Sequence, residues 1–290
     1  MLPFVVVLGQ NLSGAVYSLL SRKLAVKLPH AQMQVAAVLF VITFLVAAPA
    51  AIIYGDVHLS SLIEWWPYLL LAGFTTSFSV SLLLLTFRHL DAAMGTLLTT
   101  LHIVLGVVGG MYVLGERMGL QEIVGGMIVL AAVGYALSVH VSKKERRNWT
   151  RGIMYAVASS LCFAVGVVIE KFLLGEMTVP SYVVWGLGMQ CLAGVSFGVL
   201  LGWRHFGDVL KIKNAALLLS AGLVRTAMAV TFVFSLVVLK SLCIAVILAG
   251  IRPLFVAFLG AWFLNERRFL GRKVIASIVA AAGIAIMFWK

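Results

Sequence analysis

The segment Leu101-His-Ile-Val-Leu-Gly-Val-Val-Gly-Gly-Met-Tyr-Val-Leu-Gly-Glu-Arg117 has an echo in Ile251-Arg-Pro-Leu-Phe-Val-Ala-Phe-Leu-Gly-Ala-Trp-Phe-Leu-Asn-Glu-Arg267. Each is an apolar stretch closed by Leu-x-Glu-Arg, and the two lie 150 residues apart, about half the chain. At that offset Leu98 meets Leu248, Gly110 meets Gly260 and Leu114 meets Leu264; Tyr112 meets Trp262, and His102 falls on Arg252. Near the start of each half, Arg22-Lys23 falls on Glu170-Lys171 at a slightly shorter offset. The chain therefore reads as two copies of one pattern.

Outward from that pair the sequence is apolar almost throughout. Of its 290 residues 62% are hydrophobic and 11% charged, with mean hydropathy +1.10, whereas a soluble domain carries roughly 25% charged residues. A helix needs about 20 apolar residues to cross a bilayer, and this chain supplies one such block after another. The fold class is an all-α polytopic membrane protein. Ten transmembrane helices are predicted over residues 3–20, 32–53, 65–87, 92–114, 123–141, 152–169, 182–203, 215–239, 242–264 and 271–288. Most connections are a few residues long, and the longest polar one, 142–151, separates five spans from five. One transmembrane domain is expected, with repeat one over 1–142, a linker over 143–151 and repeat two over 152–290. An odd number of spans per copy sends the second copy into the membrane from the opposite side, the inverted build of secondary transporters, with a site at the midplane.

The formal net charge of +12 does not point to nucleic acid. The Lys and Arg stand at span ends, where orientation and anionic headgroups account for them. Cys162, Cys191 and Cys243 lie inside apolar spans without metal-ligand spacing and read as small core residues, with no disulfide framework. The first apolar block lacks a basic n-region and a small-residue cleavage site, so it reads as a retained span. Loops one–two, three–four, five–six, seven–eight and nine–ten hold sixteen of the 22 Lys and Arg, among them Arg22, Lys23, Lys27, Arg146, Arg272 and Lys273. The opposite side holds only Arg117, Lys171, Lys240 and Lys290. The positive-inside rule puts the richer side in the cytoplasm and both termini outside.

The five-plus-five span pattern, the Leu-Gly-Glu-Arg after the fourth span, the Leu-Asn-Glu-Arg after the ninth, Arg252-Pro253-Leu254-Phe255, and the basic pairs ending the first and sixth spans together resemble the EamA branch of the drug/metabolite transporter superfamily. The resemblance covers nearly the whole chain. It implies a plasma-membrane (inner-membrane) small-molecule carrier with a central cavity, often an exporter. Family members typically keep both termini in the cytoplasm, so the charge count departs from the pattern and the family-typical orientation stands as the alternative.

Charges at membrane depth mark function by default. Arg225 lies about ten residues into the eighth predicted span, and Arg252 lies midway along the ninth, immediately before Pro253, which removes a backbone donor and breaks the helix. A broken helix beside a cation resembles the half-helix sites of transporters; a structural arginine held by carbonyls or a carboxylate is the competing reading. His102, the partner of Arg252 in the repeat, can titrate at working pH or serve as a neutral core histidine. Gln10 and Asn11 in the first span and Gln190 in the seventh carry amides that are costly in hydrocarbon unless bonded. Tyr17 and Trp185 are further candidates to line a cavity. The hydroxyls of the third span, from Thr75 to Ser81, read as helix-packing groups. Glu170 ends the sixth predicted span beside Lys171. It is either a coupling group, a role also open to His102, or one half of an interfacial ion pair. Glu116 and Glu266 read as turn and capping acids. No acid is expected deep in the first or sixth span, and the positive deep charges favour a substrate with a carboxylate or phosphate.

These residues point to a secondary transporter of small polar metabolites, such as amino acids or other carboxylate-bearing compounds, working by alternating access. A lipid-carrier or phospholipid flippase of the same fold is the alternative, its arginines holding a lipid phosphate. A channel would give non-saturating flux. The chain has no Gly-x-Ser-x-Gly, no His-Glu-x-x-His, no Asp dyad and no phosphate-gripping glycine loop, so it is not expected to be an enzyme. No cofactor and no metal are expected. The expected partners are a small-molecule substrate and the lipid bilayer, with no nucleic acid, and a monomer can enclose the cavity.

Overall fold

The computed structural model describes residues 2–115, 119–138, 143–239, 242, 249–250, 252–266 and 269–288. Glu116, Arg117, Lys240, Cys243, Leu248, Arg267 and Lys290, which enter the sequence reading, lie outside them. Regular structure is helical throughout the described residues, as it must be for a chain this apolar. Within hydrocarbon a backbone finds no water, and a single segment meets its own hydrogen-bonding needs only as a helix.

In chain order the helices are α1 (Leu2–Lys27), α2 (Gln32–Tyr54), α3 (Leu59–His89), α4 (Ala92–Thr99), α5 (Leu101–Leu114), α6 (Leu120–Leu137), α7 (Lys143–Glu176), α8 (Val179–Leu200), the short α9 (Phe206–Val209), α10 (Ile212–Val238), α11 (Arg252–Phe263) and α12 (Leu270–Phe288). Among the described residues six segments are long and apolar enough to cross a membrane: Gln32–Tyr54, Leu59–His89, Ala92–Leu114, Arg146–Glu176, Val179–Leu200 and Ile212–Val238. Ile123–Tyr135 and Arg252–Phe263 are shorter apolar helices. Several helices outrun their apolar blocks, because backbone hydrogen bonding continues after the chain enters the headgroup region, where charged side chains are solvated. The extension of α7 to Glu176 matters most, because it draws Glu170 well inside the helix rather than leaving it at an end.

The fourth predicted span is two helices. α4 stops at Thr99 and α5 starts at Leu101. The Thr100 amide turns back to the Leu97 carbonyl at 3.2 Å, and its hydroxyl donates to the same carbonyl at 2.6 Å. The Thr99 hydroxyl likewise donates to Thr96 O at 2.8 Å. Threonine side chains that capture carbonyls three residues back tighten the turn and interrupt the regular ladder.

The broadest helix contacts are α3 on α7, α2 on α8, α6 on α12 and α1 on α10. Lipid is as apolar as leucine, so close backbone approach and interhelical hydrogen bonds take over from hydrophobic drive. A Cβ at Gly73 of α3 would lie 2.7 Å from the Met189 carbonyl carbon of α8, so those helices nearly touch. The hydroxyls of α3 divide accordingly. Ser77 donates to Gln190 O at 2.6 Å, and Ser79 and Ser159 donate to each other's carbonyls at 2.9 Å. Thr75 and Ser81 instead bond back to their own helix.

The two Leu-x-Glu-Arg ends share a backbone device. Gly115 has φ 67° and Asn265 has φ 55°, the left-handed conformation that closes helices and that Gly and Asn tolerate best. After the turn at Asn265, the Glu266 amide donates to Gly260 O at 3.2 Å. The Glu266 carboxylate then accepts from the Ala92 amide at 2.8 Å and from Arg22 Nε at 2.9 Å. Asp91 caps α4 through Met94 N at 2.8 Å and pairs with Lys273 at 2.7 Å. Arg22 also donates to the Phe87 carbonyl. This lattice ties α1, α3, α4, α11 and α12 together at one end of the bundle. Arg22 and Lys273, counted among the loop charges that set orientation, are thus bound within the protein; the Lys273 side chain is only 1% exposed.

Candidate functional site

A cavity of about 110 Å³, room for roughly four waters, lies among α1, α3, α4, α5, α7, α8, α10 and α11. Of the candidate residues, Tyr17, His102, Glu170, Gln190, Arg225 and Arg252 line it. These six come from six helices, so nothing but tertiary packing brings them together.

Arg225 is buried in α10. Its Nη1 donates to Thr43 Oγ1 at 2.9 Å, and its guanidinium carbon sits 3.9 Å from the centre of the Phe40 ring. A hydroxyl and an aromatic face are weaker partners for a guanidinium than a carboxylate. Its Nε is buried without a hydrogen-bond partner. Arg252 opens α11, with Pro253 in the first helical turn, the place where a missing backbone N–H costs nothing. The Arg252 Nε is also buried and unmatched. Its side chain lies across Gly14 of α1, where a Cβ would sit 2.3 Å from Nε, so Gly14 is the space the guanidinium occupies. The Tyr17 hydroxyl is close to both guanidinium groups, yet it too is buried outside hydrogen-bond geometry.

The acid of the site is Glu170. The sequence reading placed it at the end of a span and expected no deep acid in the sixth; the structure corrects both points. Glu170 is 5% exposed, six residues inside the end of α7, and faces the cavity. Its Oε1 accepts from Gln190 Nε2 at 2.8 Å and from Thr76 Oγ1 at 3.3 Å. The buried Tyr182 hydroxyl lies alongside, just outside hydrogen-bond geometry. Lys171, its neighbour in sequence, points away and donates to Leu236 O at 2.9 Å. His102, at the start of α5, bonds through Nδ1 with the Thr99 carbonyl of the helix break and meets Phe163 edge-on at 4.8 Å between centroids.

Three candidates sit elsewhere. Trp185 is outside the cavity lining; its indole donates to His58 O at 3.0 Å and pins the loop before α3. Gln10 and Asn11 are buried on α1 but outside the lining. The Asn11 amide donates to Val7 O at 2.9 Å. Gln10 shares the face of α1 that carries Gly14 and Tyr17, and both of its amide atoms are buried without partners. Sequence reasoning missed Thr43, Phe40, Tyr182 and the Thr99–Thr100 break, and it read Thr76, which donates to Glu170 and lines the cavity, as a helix-packing hydroxyl. Three threonines within five residues, Thr96, Thr99 and Thr100, were the legible signal for the last.

Chemically the cavity offers donors from two guanidinium groups and two phenols, with one carboxyl and its amide and hydroxyl partners. Unmatched buried polar atoms are rare in native proteins and call for an explanation; here Arg225 Nε, Arg252 Nε, Tyr17 OH, Tyr182 OH and Thr96 Oγ1 border a single cavity. Such a set can hold a small polar molecule.

No match was found among curated proteins. Among solved structures, one described as a crystal structure of protein is 19% identical, has a TM-score of 0.66, and aligns over 96% of this chain and 95% of that one, which speaks to the fold. The model of the EamA-like transporter family matches twice, over residues 2–138 and 150–289. With its apolar spanning helices and its cavity between the two matched halves, this integral membrane protein belongs to the EamA-like transporter family.

Proposed function

We propose that the protein is a secondary transporter of small carboxylate-bearing metabolites, amino acids foremost, moved by alternating access around the cavity and in the direction of export. The carrying observation is that two arginines, Arg225 buried and Arg252 half-buried, present unmatched Nε groups to one cavity. A guanidinium fork matches a carboxylate in both charge and shape. Glu170 supplies an acceptor for an ammonium group, so an α-amino acid meets complementary groups at both of its charged ends.

Ten spans in two inverted five-helix repeats belong to this reading. The double family match supports it, and so does the packing. When each span is exchanged for the one five later, α3 on α7 becomes α10 on α1, and α5 on α7 becomes α11 on α1; all four contacts are present. The sixteen-to-four distribution of Lys and Arg supports extracytoplasmic termini in the plasma (inner) membrane. A monomer is part of this reading. The lipid bilayer is the other partner in this reading.

Counterflow of labelled amino acids and other carboxylates in proteoliposomes tests the function. We expect saturable movement of at least one compound, with Arg225→Ala and Arg252→Ala each reducing its rate about tenfold or more, equivalent to ~1.4 kcal/mol per decade. Unchanged transport in Arg252→Ala refutes the site. Phospholipid scrambling that depends on Arg225, without metabolite counterflow, transfers the function to a flippase.

A further inference from the structure

A second cleft, of about 230 Å³, lies away from the central cavity, where the α1–α2 connection meets the segment between α8 and α10. Lys27, His30, His205, Lys211 and Lys213 line it. The acid facing them is Asp208, which is already engaged by Lys211 at 2.6 Å. Lys27 Nζ donates to the Lys213 carbonyl at 3.0 Å, which draws the two connections together.

Two long helices begin at the cleft. α2 starts at Gln32 after Ala31, and α10 starts at Ile212 after Lys211; neither start has a side-chain cap. The free amides and positive dipole ends of both helices add to the cationic side chains. Asn214, in the first turn of α10, is fully buried and lines the same cleft. Its Nδ2 is used on Asp208 O at 2.9 Å, while its Oδ1 is buried with no partner. The cleft therefore combines cationic donors with one buried acceptor awaiting a donor.

The cleft lies between the end of the apolar span Val179–Leu200 and the start of Ile212–Val238. Trp203 is 68% exposed, Leu210 62% and Ile212 93%, an apolar fringe with an interfacial tryptophan beside the charged groups. We propose that this cleft binds the phosphodiester of an anionic phospholipid, with a headgroup hydroxyl, as in phosphatidylglycerol, donating to Asn214 Oδ1. The exposed Trp203, Leu210 and Ile212 side chains then lie against the lipid's acyl region.

Native mass spectrometry of the full-length protein, with phosphatidylglycerol, phosphatidylcholine, phosphatidylethanolamine or inorganic phosphate added separately, tests this. Phosphatidylglycerol is expected to be retained over the two other lipids. Removing positive charge by Lys27→Gln and Lys213→Gln is expected to weaken retention about fivefold per lysine, while Lys→Arg at both positions preserves it. Both lysines are exposed, so folding is spared. As a control, Arg146→Gln with Arg147→Gln removes the same charge from the start of α7 and is expected to leave retention unchanged. Equal retention of phosphatidylcholine overturns the proposal, as does an equal loss in the control variant. Protection by inorganic phosphate as strong as that by phosphatidylglycerol assigns the cleft to the free anion and overturns the lipid.

Discussion

At the first interrupted helix, Thr99 and Thr100 bend the chain through their own hydroxyls, and His102 beyond the bend leans back on the Thr99 carbonyl. At the corresponding place 150 residues later Gly250 stands in a turn, and beyond it Arg252 begins a helix with Pro253 behind it. The helix ends compare in the same way. Gly115 and Asn265 adopt the same left-handed conformation, one through absence of a Cβ, the other through a short polar side chain. The two copies keep the backbone events and change the side chains. His102 is satisfied within its own segment, whereas Arg252 reaches across to α1 and keeps an unmatched donor. The first copy thus contributes a wall of the cavity at this position and the second contributes its charge.

Substitution at Gly14 breaks this contrast most severely. Gly14→Ala places a Cβ within 2.3 Å of Arg252 Nε. The guanidinium is the flexible end of its side chain, so we expect it to swing aside while the fold holds. Counterflow should fall about tenfold or more, ~1.4 kcal/mol, with the melting temperature close to that of the parent protein. A fold lost together with transport would instead make Gly14 a packing residue only.

The largest effect on stability, as distinct from transport, belongs to the lattice around the second Leu-x-Glu-Arg end. Lys273→Met strands the Asp91 carboxylate and unties α12 from α4. Breaking a buried pair by removing one partner costs about 3 kcal/mol, readable as a clear drop in thermal stability in detergent. A change within error would mean that Asp91 is sufficiently served by the α4 cap.

The smallest effect sharpens the comparison of the two ends. Gly115→Ala forces a Cβ into the left-handed region at about 1 kcal/mol, whereas Asn265→Gly copies the first end into the second and should be nearly neutral. Thermal unfolding of both variants checks the pair; equal losses would show that Asn265 contributes through its side chain rather than its conformation.

The deep charges were legible because their energetic cost in hydrocarbon makes them conspicuous in any apolar span. Arg225, Arg252, His102 and Gln190 all reach the cavity. Trp185, Gln10 and Asn11 do not line it, although their chemistry recommended them equally. The difference lies in helix rotation. A membrane helix is apolar on every side, so periodicity does not say which face turns inward, and Trp185 was drawn instead to the His58 carbonyl at a helix end. Glu170 was misplaced for a related reason. The apolar block ends near it, yet α7 continues to Glu176, so hydropathy marked the wrong end.

From residue order alone came the membrane class, the two-copy pattern, the transporter family and the short set of polar groups too costly to be accidental. The membrane class and the costly polar groups follow from composition and from local backbone demands, which act on each segment separately; the family came from the resemblance carried by the paired motifs. Only the tertiary structure decided that Glu266 would cap α4 and hold Arg22, that Lys273 would be buried against Asp91, and that Glu170 would face two arginines across one cavity. These are contacts between segments far apart in the chain. They depend on how each helix is rotated and how closely glycine-lined faces let the helices approach, and neither quantity is written in any one segment.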